Sequence, residues 1–387
     1  METVFAGLPF YDSLEKTDRV RTGARVPFNC PRHQLLPFQI NVGTDNPGAI
    51  TRIDLLDCKN IATEITSYFA ALPALFTTTA NDYFQYKGNQ LATPLPRGQW
   101  KVKLTTANGY IYYSENIVVS DIYQNLITGW VNAPIGGYDT FTTTGTIISS
   151  AITDGSDIAT VYSPMFAIRK GESIFVKFNY LLNSGTAAVI YLQDFSLGVG
   201  SSVVNLVSGI NNITLTALYS ASEMRVIIQN SAAASNFLTS EVFVYRSYSP
   251  RFIRIDMSNA KDLGNILYQD GWAQTLFLET RLNYPTTEVV EVGDEKDGIF
   301  NVEKIVTKYI YRISTYINRA MHRVLSRISQ HSSVTITDEV GNTYTPSIGN
   351  IRMEADQPHF ETTHAVISFN DGENTAYDWT YDMENMT

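Results

Sequence analysis

The chain has 387 residues, 44% of them apolar and 12% aromatic, with 17% charged side chains and a formal charge of −10. At roughly 150 residues per domain, that length suggests two or three domains, each able to bury a core. The 23 Tyr and 19 Phe exclude a disordered chain and favour pleated surfaces over helical bundles, and two cysteines exclude a disulfide-stapled scaffold.

Cys30 and Cys58 lack the neighbouring ligands of a zinc site, so no metal and no cofactor is expected. Met1 to Val20 contain Asp12, Glu15 and Asp18 and no apolar run, unlike a secretory leader. No stretch approaches 18 consecutive apolar residues. The expectation is a soluble protein made in a reducing cytoplasm, with no membrane insertion.

Charge is uneven along the chain. Residues 1–121 carry 11 acidic and 11 basic side chains, 122–248 carry 7 and 5, and 249–353 carry 12 and 12. The last 34 residues carry 8 acidic groups and no Lys or Arg. A nucleic-acid binder needs a basic stripe, and the overall balance is the opposite. The acidic end reads either as a solvated terminus or as an arm docking on a basic surface of a neighbouring subunit. Its interleaved Phe360, Phe369, Tyr377, Trp379 and Tyr381 fit burial.

In chain order, Gln39–Val42 and Ile50–Leu56 alternate as short strands around the turn residues Thr44 to Gly48. Trp100 to Leu104 alternates again, Asn108-Gly109 marks a hairpin, and Tyr110 to Val119 returns. An N-terminal arm and an immunoglobulin- or fibronectin-like sandwich together make up 1–121, and the sandwich buries such a set economically. Residues 122–248 change character, with strand-like runs at 166–168, 174–180, 188–192, 213–217, 224–228 and 242–245 punctuated by glycines, as in a jelly roll.

Beyond Pro250, Arg251 to Met257 reads as a strand, Tyr268 and Trp272 form an aromatic cluster, and Glu288 to Ile299 reads as a charged loop. Ile317, Ala320, Met321, Val324, Leu325 and Ile328 then follow a 3.6-residue period. This predicts a single amphipathic helix over about 315–330, capped by Ser314 or Thr315, with Arg319, Arg323 and Arg327 on the opposite face. A hairpin around Asp338 to Asn342 follows. The fold class is therefore mainly β, in four parts: 1–121, 122–248, a framework domain at 249–353 with the one helix, and an acidic arm at 354–387.

The run Leu104 to Gly109 with Tyr112-Tyr113-Ser114-Glu115 resembles a turn and strand pattern of tail-associated virion proteins from tailed phages of Bacteroidota. Leu263 to Trp272, Glu288 to Gly298, and Thr335-Ile336-Thr337-Asp338 with Gly341-Asn342-Thr343-Tyr344 resemble the same family. The resemblance covers roughly 35–121 and 249–370 and implies a tail-tip, baseplate or adaptor protein without catalysis. Residues 122–248 depart from it as an inserted domain. That insert is similar to jelly-roll carbohydrate-binding modules, through Asn125 to Trp130 and through Gly209 to Leu215.

Candidate chemistry is sparse. His359 and His364, five apart, fall on opposite faces of a strand and so make a poor metal pair. Carboxylates of the insert such as Asp139, Asp154, Asp157, Glu172 and Asp194 are expected to form no glycosidase pair. No Walker loop, nucleophile elbow or HExxH motif is present. Trp130, Tyr138, Phe141 and Tyr162 are the candidate sugar-stacking rings, with core packing as the competing reading. Arg319, Arg323 and Arg327, with Asp378, Trp379 and Asp382, are the candidate subunit-interface residues, and a solvated helix face is the competing reading for the arginines.

The expectation is a non-enzymatic structural protein of a phage tail or baseplate, assembled in the host cytoplasm into a ring or collar with the jelly roll outward. Its partners are copies of itself and other tail proteins. The alternative is a glycan-binding adhesin, with host surface polysaccharide as the ligand of 122–248.

Overall fold

The computed structural model describes residues 5–12, 26–41, 47–69, 77–78, 83–88, 91, 93–123, 126, 130–132, 140–144, 147–151, 160–184, 187–194, 196–229, 235–238, 242–263, 266, 268, 271–296, 299–355 and 362–378. Among them the fold is mainly β, with one α-helix at Arg319–Leu325.

Strict alternation builds the first sheet. In Gly98–Thr106 the side chains of Val102, Leu104 and Thr106 are buried while Lys101, Lys103 and Thr105 are half-exposed, the period of a strand with one face on a core. Gly109 takes φ +83°, which a residue without Cβ adopts at little cost, and Ile111–Ser114 returns with Tyr112 opposite Leu104. A second sheet of Phe5–Gly7, Phe38–Asn41, Tyr83–Tyr86 and Thr77–Thr78 meets the first through Phe10 against Phe38, 4.5 Å between ring centres.

The sequence separates 1–121 from 249–353, but one hydrophobic core runs through both. It joins Phe28, Phe38, Val102 and Ile117 to Ile253, Leu276, Ile313 and Ile367. Strand Gln274–Glu279 explains why: it buries five consecutive side chains and is therefore covered on both faces. Polar bonds cross the same seam, from Asn29 Nδ2 to the Phe277 carbonyl at 3.0 Å and from Trp272 Nε1 to the Tyr86 carbonyl at 2.9 Å. This shared body is called the framework below.

The insert has its own core of Trp130, Val161, Ile174, Val176, Phe178, Ile190, Leu192, Val226, Ile228 and Val244 between two sheets. One sheet centres on Ser173–Ser184, flanked by Gly209–Thr216, Ser235–Leu238 and Phe243–Arg246. The other centres on Ala221–Gln229, flanked by Thr160–Tyr162, Phe166–Ile168 and Val189–Asp194. The chain enters and leaves at one pole, where the Leu126 amide donates to the Val244 carbonyl at 2.7 Å.

Alternation also fixes how the insert sits. Along Phe243–Arg246, Val244 faces the insert core, while Phe243 and Tyr245 belong to the framework core. Phe175 packs on the framework core too. The Ser173–Ser184 sheet therefore lies on the framework by its outer face, and the opposite sheet is turned away from it.

The last sheet orders Leu282–Lys296, Ile299–Asn318, Thr362–Asp378 and Ile351–Ala355. It corrects two expectations. Within the expected loop at Glu288 to Ile299, the described residues Glu288 to Lys296 continue the hairpin strand, with Glu288 opposite Lys308. Opposite charges across a ladder offset the poor strand propensity of Glu and Lys. Likewise, much of the acidic C-terminal arm is a strand of the chain's own sheet, with Asp378 opposite Lys304 and Glu373 opposite Lys308.

The helix is shorter than its apolar stripe. Ile317 ends the strand Ile299–Asn318, and the cap is Asn318, whose side chain accepts from the Met321 amide at 2.7 Å, rather than Ser314 or Thr315. The stripe is still one buried face, carried across a strand end, the helix and the 3-10 turn Ile328–Gln330. Among the described residues no helix is long and apolar enough to cross a membrane.

Candidate functional site

The sheet turned away from the framework carries a patterned outer face. Ile190, Leu192, Val226 and Ile228 point into the insert core, so their strand neighbours point out. Register places Tyr191 opposite Ile227 and Ile227 opposite Tyr162, an aromatic row across three strands. Ile227 is buried at the centre of this row although it lies outside the insert's core cluster. On one side of the row, Asn205, Val189, Gln229 and Thr160 align; on the other, Val199, Gln193 and Arg225.

Side-chain bonds hold this face in place. The Tyr191 hydroxyl donates to Gln229 Oε1 at 3.1 Å, and Arg225 Nη2 donates to Gln193 Oε1 at 2.9 Å. The Arg225 guanidinium lies 4.2 Å from the centre of the Tyr162 ring, a cation–π contact that fixes the arginine plane. Partial burial and the neighbouring Tyr162 raise the Tyr191 pKa against the pull of Arg225, so the phenol stays neutral. Half-buried rings beside amide and guanidinium groups suit a ligand with apolar C–H faces and many hydroxyls.

Of the four rings singled out in the sequence, Tyr162 lies on this face. Trp130 is 2% exposed and packs in the insert core, so it offers no ring face to a sugar. Phe141 falls in strand Thr140–Thr144 opposite Ser150, with its side chain outside the described part, and Tyr138 lies outside the described residues. Tyr191, Gln193, Arg225 and Gln229 were missed. The signal that finds them is the period-two alternation of Val189–Asp194 and Ala221–Gln229.

The insert's other polar residues serve the fold. Asp194 Oδ1 accepts from the Ser196 hydroxyl and from the amides of Ser196 and Leu197, and the Ser196 contact foremost holds its pKa down. Glu172 pairs with Arg246 at 2.6 Å. Asn211 accepts from the Val207 amide at 3.0 Å and donates to the Val207 carbonyl at 2.7 Å, closing a turn. Asp139, Asp154 and Asp157 lie outside the described residues.

In the framework, Ser314 Oγ and His364 Nε2 are 2.7 Å apart, diagonal across the ladder. A nucleophilic serine needs its histidine oriented by a third group. Here the His364 ring packs edge-on against Tyr316 at 5.4 Å, and among the described residues no carboxylate bonds to it. His331 is enclosed with Tyr268 at 2.6 Å, and its Nδ1 meets the Arg327 carbonyl at 2.9 Å. His359 is outside the described residues, which contain no cluster of three or more His, Cys, Asp or Glu suited to a metal.

Arg319, Arg323 and Arg327 are exposed on the open side of the helix, and none makes an ion pair among the described residues. Asp378, grouped with them from the sequence, lies instead opposite Lys304 of its own chain, while Trp379 and Asp382 are outside the described residues.

No protein-family model matches this chain, and no curated protein matches it. Among solved structures, one described as "CBM4 structure and function" is 18% identical, covering 31% of this chain and 95% of its own, with a TM-score of 0.26. A second, described as "Structural basis for the promiscuous specificity of the carbohydrate-binding modules from the beta-sandwich super family", is 14% identical, covering 62% and 98%, with a TM-score of 0.26.

Proposed function

We propose that this chain is a non-catalytic structural protein of a phage tail, of the tail-tip, baseplate or adaptor kind. In this reading the framework is built into the virion in several copies, and the inserted sandwich is presented outward to touch host surface polysaccharide. The observation that carries the reading is the row Tyr162–Ile227–Tyr191, edged by Gln193, Arg225 and Gln229, on the sheet that faces away from the framework. The sequence resemblance of 35–121 and 249–370 to tail-associated proteins supplies the virion setting.

The division of the chain supports the same reading. Both ends contribute to one core, while the insert rests one sheet on the framework and folds around a core of its own. Such an arrangement lets one part be fixed in an assembly while the other keeps a free face.

Electron microscopy of virions decorated with Fab fragments raised against residues 122–248 tests the proposal. Regular decoration confined to the tail is the expected result. Undecorated tails, with the chain confirmed absent from purified particles by mass spectrometry, would overturn it.

A further inference from the structure

The hairpin of Leu282–Lys296 and Ile299–Asn318, with Thr362–Asp378 beside it, outgrows the body it is rooted in. Its central strand has 20 residues, roughly 65 Å at the usual rise. Among the described side chains of that strand, the first buried one is Ile313, and on its neighbour the last is Phe369. Farther out no described side chain is buried, and Val289 and Tyr309 are 59% and 40% exposed.

This outer ribbon is also open at its edges. Among the described residues no strand pairs with the outer side of Leu282–Lys296. Among the described residues, the outer side of Thr362–Asp378 is paired only where Ile351–Ala355 lies along Ala365 to Phe369. Among the described residues, the outer part of this three-stranded ribbon adds no side chain to any core cluster, short of the burial that an independent sheet needs.

Charge selects what completes it. By sequence, residues 286–308 and 370–378 carry nine acidic groups against three lysines. Five arginines next to the root of the ribbon, Arg312, Arg319, Arg323, Arg327 and Arg352, are exposed with no ion pair among the described residues. Arg312 and Arg352 share one cross-strand row through Ser368. The acidic tip and the arginine helix lie at opposite ends of the same extended strand. One chain cannot bring them together.

We propose that the acidic ribbon of one copy docks on the arginine face around Arg319 and Arg323 of a second copy. Because the two patches differ, the contact is head-to-tail and repeats around a ring or along a filament. This rests on the assembly reading above and names its surface. Exposed opposite charges are screened by salt, so the contact weakens as ionic strength rises.

Sedimentation velocity of the full chain tests this with two charge reversals, Glu291→Lys on the ribbon, where the cross-strand partner is the neutral Ile305, and Arg319→Glu/Arg323→Glu on the helix. The wild type is expected to form a salt-sensitive oligomer, and each reversal to weaken association at least tenfold without changing the melting temperature. Combining the two reversals is expected to restore association. If the helix variant fails to fold, the ribbon variant alone reads the outcome. A monomeric wild type, or an oligomer indifferent to the ribbon reversal, overturns the proposal. Tail decoration by the anti-insert Fab alongside a silent ribbon reversal would remove this interface and leave the virion assignment standing.

Discussion

Lys177 Nζ donates to the backbone carbonyl of His33 at 3.4 Å, across the seam between insert and framework. Both residues are 4% exposed, and the His33 ring lies 4.5 Å from Tyr245 and 5.4 Å from Tyr123. The positive groups nearby are Arg32 and Arg254. Asp121 is paired with Arg32 at 3.4 Å and Asp256 with Arg254 at 2.7 Å, and among the described residues no carboxylate is bonded to Lys177. Burial pushes Lys177 down to about 7, and burial with the charges of Lys177 and Arg32 pushes His33 down to about 3.

The sign of the linkage follows. Between about 3 and 6.5 the unfolded chain holds a proton on His33 that the folded chain lacks, and between about 7 and 10.5 the same holds for Lys177. Stability therefore rises with pH across both windows. Lys177→Met should flatten the upper window and stabilise the protein by several kcal/mol at pH 7 and below. Chemical denaturation of both proteins from pH 5 to 10 measures this, and parallel curves would contradict it.

Asn318 has two jobs that substitution can separate. Its Oδ1 caps the helix through the Met321 amide, and its Nδ2 donates to the Val26 carbonyl at 2.6 Å. Asn318→Ser keeps a neutral hydroxyl able to cap the helix and loses the second bond, whereas Asn318→Ala loses both. The Ala variant should be the less stable of the two by about 1 kcal/mol, read from urea midpoints.

Thiol labelling distinguishes the two cysteines. Cys58 is exposed, while Cys30 is buried with its pKa pushed up to about 12 by desolvation. An alkylating reagent should modify one thiol in the native protein and two in denaturant. Rapid native labelling of Cys30 would contradict the core as described.

Trp272 ties the 266–272 segment to the N-terminal sheet through its bond to the Tyr86 carbonyl. Trp272→Phe keeps most of the ring but loses that hydrogen bond, so a loss of about 1 kcal/mol is expected from thermal or urea unfolding.

Much of the strand content is legible from alternation, as in Trp100 to Leu104 and the insert's runs at 174–180 and 224–228. Local pattern says less about partners. Asp54 falls on the polar parity of Ile50–Leu56 yet is fully buried, because a bulge between Ile50 and Arg52 shifts the register and Arg52 and Lys103 reach its carboxylate. The charged segment Glu288 to Lys296 sets Val289, Val290 and Val292 among Glu, Gly, Asp and Lys, and becomes strand through pairing with residues that follow it. Tyr162 was found as an isolated ring. Its neighbours Tyr191 and Gln229 come from strands 29 and 67 positions later in the chain, and only the fold brings them beside it.

The most direct test of the account is affinity electrophoresis of the full chain through gels containing capsular or other bacterial surface polysaccharides. Retardation by at least one polysaccharide is predicted, reduced at least tenfold in apparent affinity by Tyr162→Ala/Tyr191→Ala with no change in oligomeric state. Unretarded migration in every gel, or retardation untouched by removing both rings, would contradict a sugar-contacting outer face.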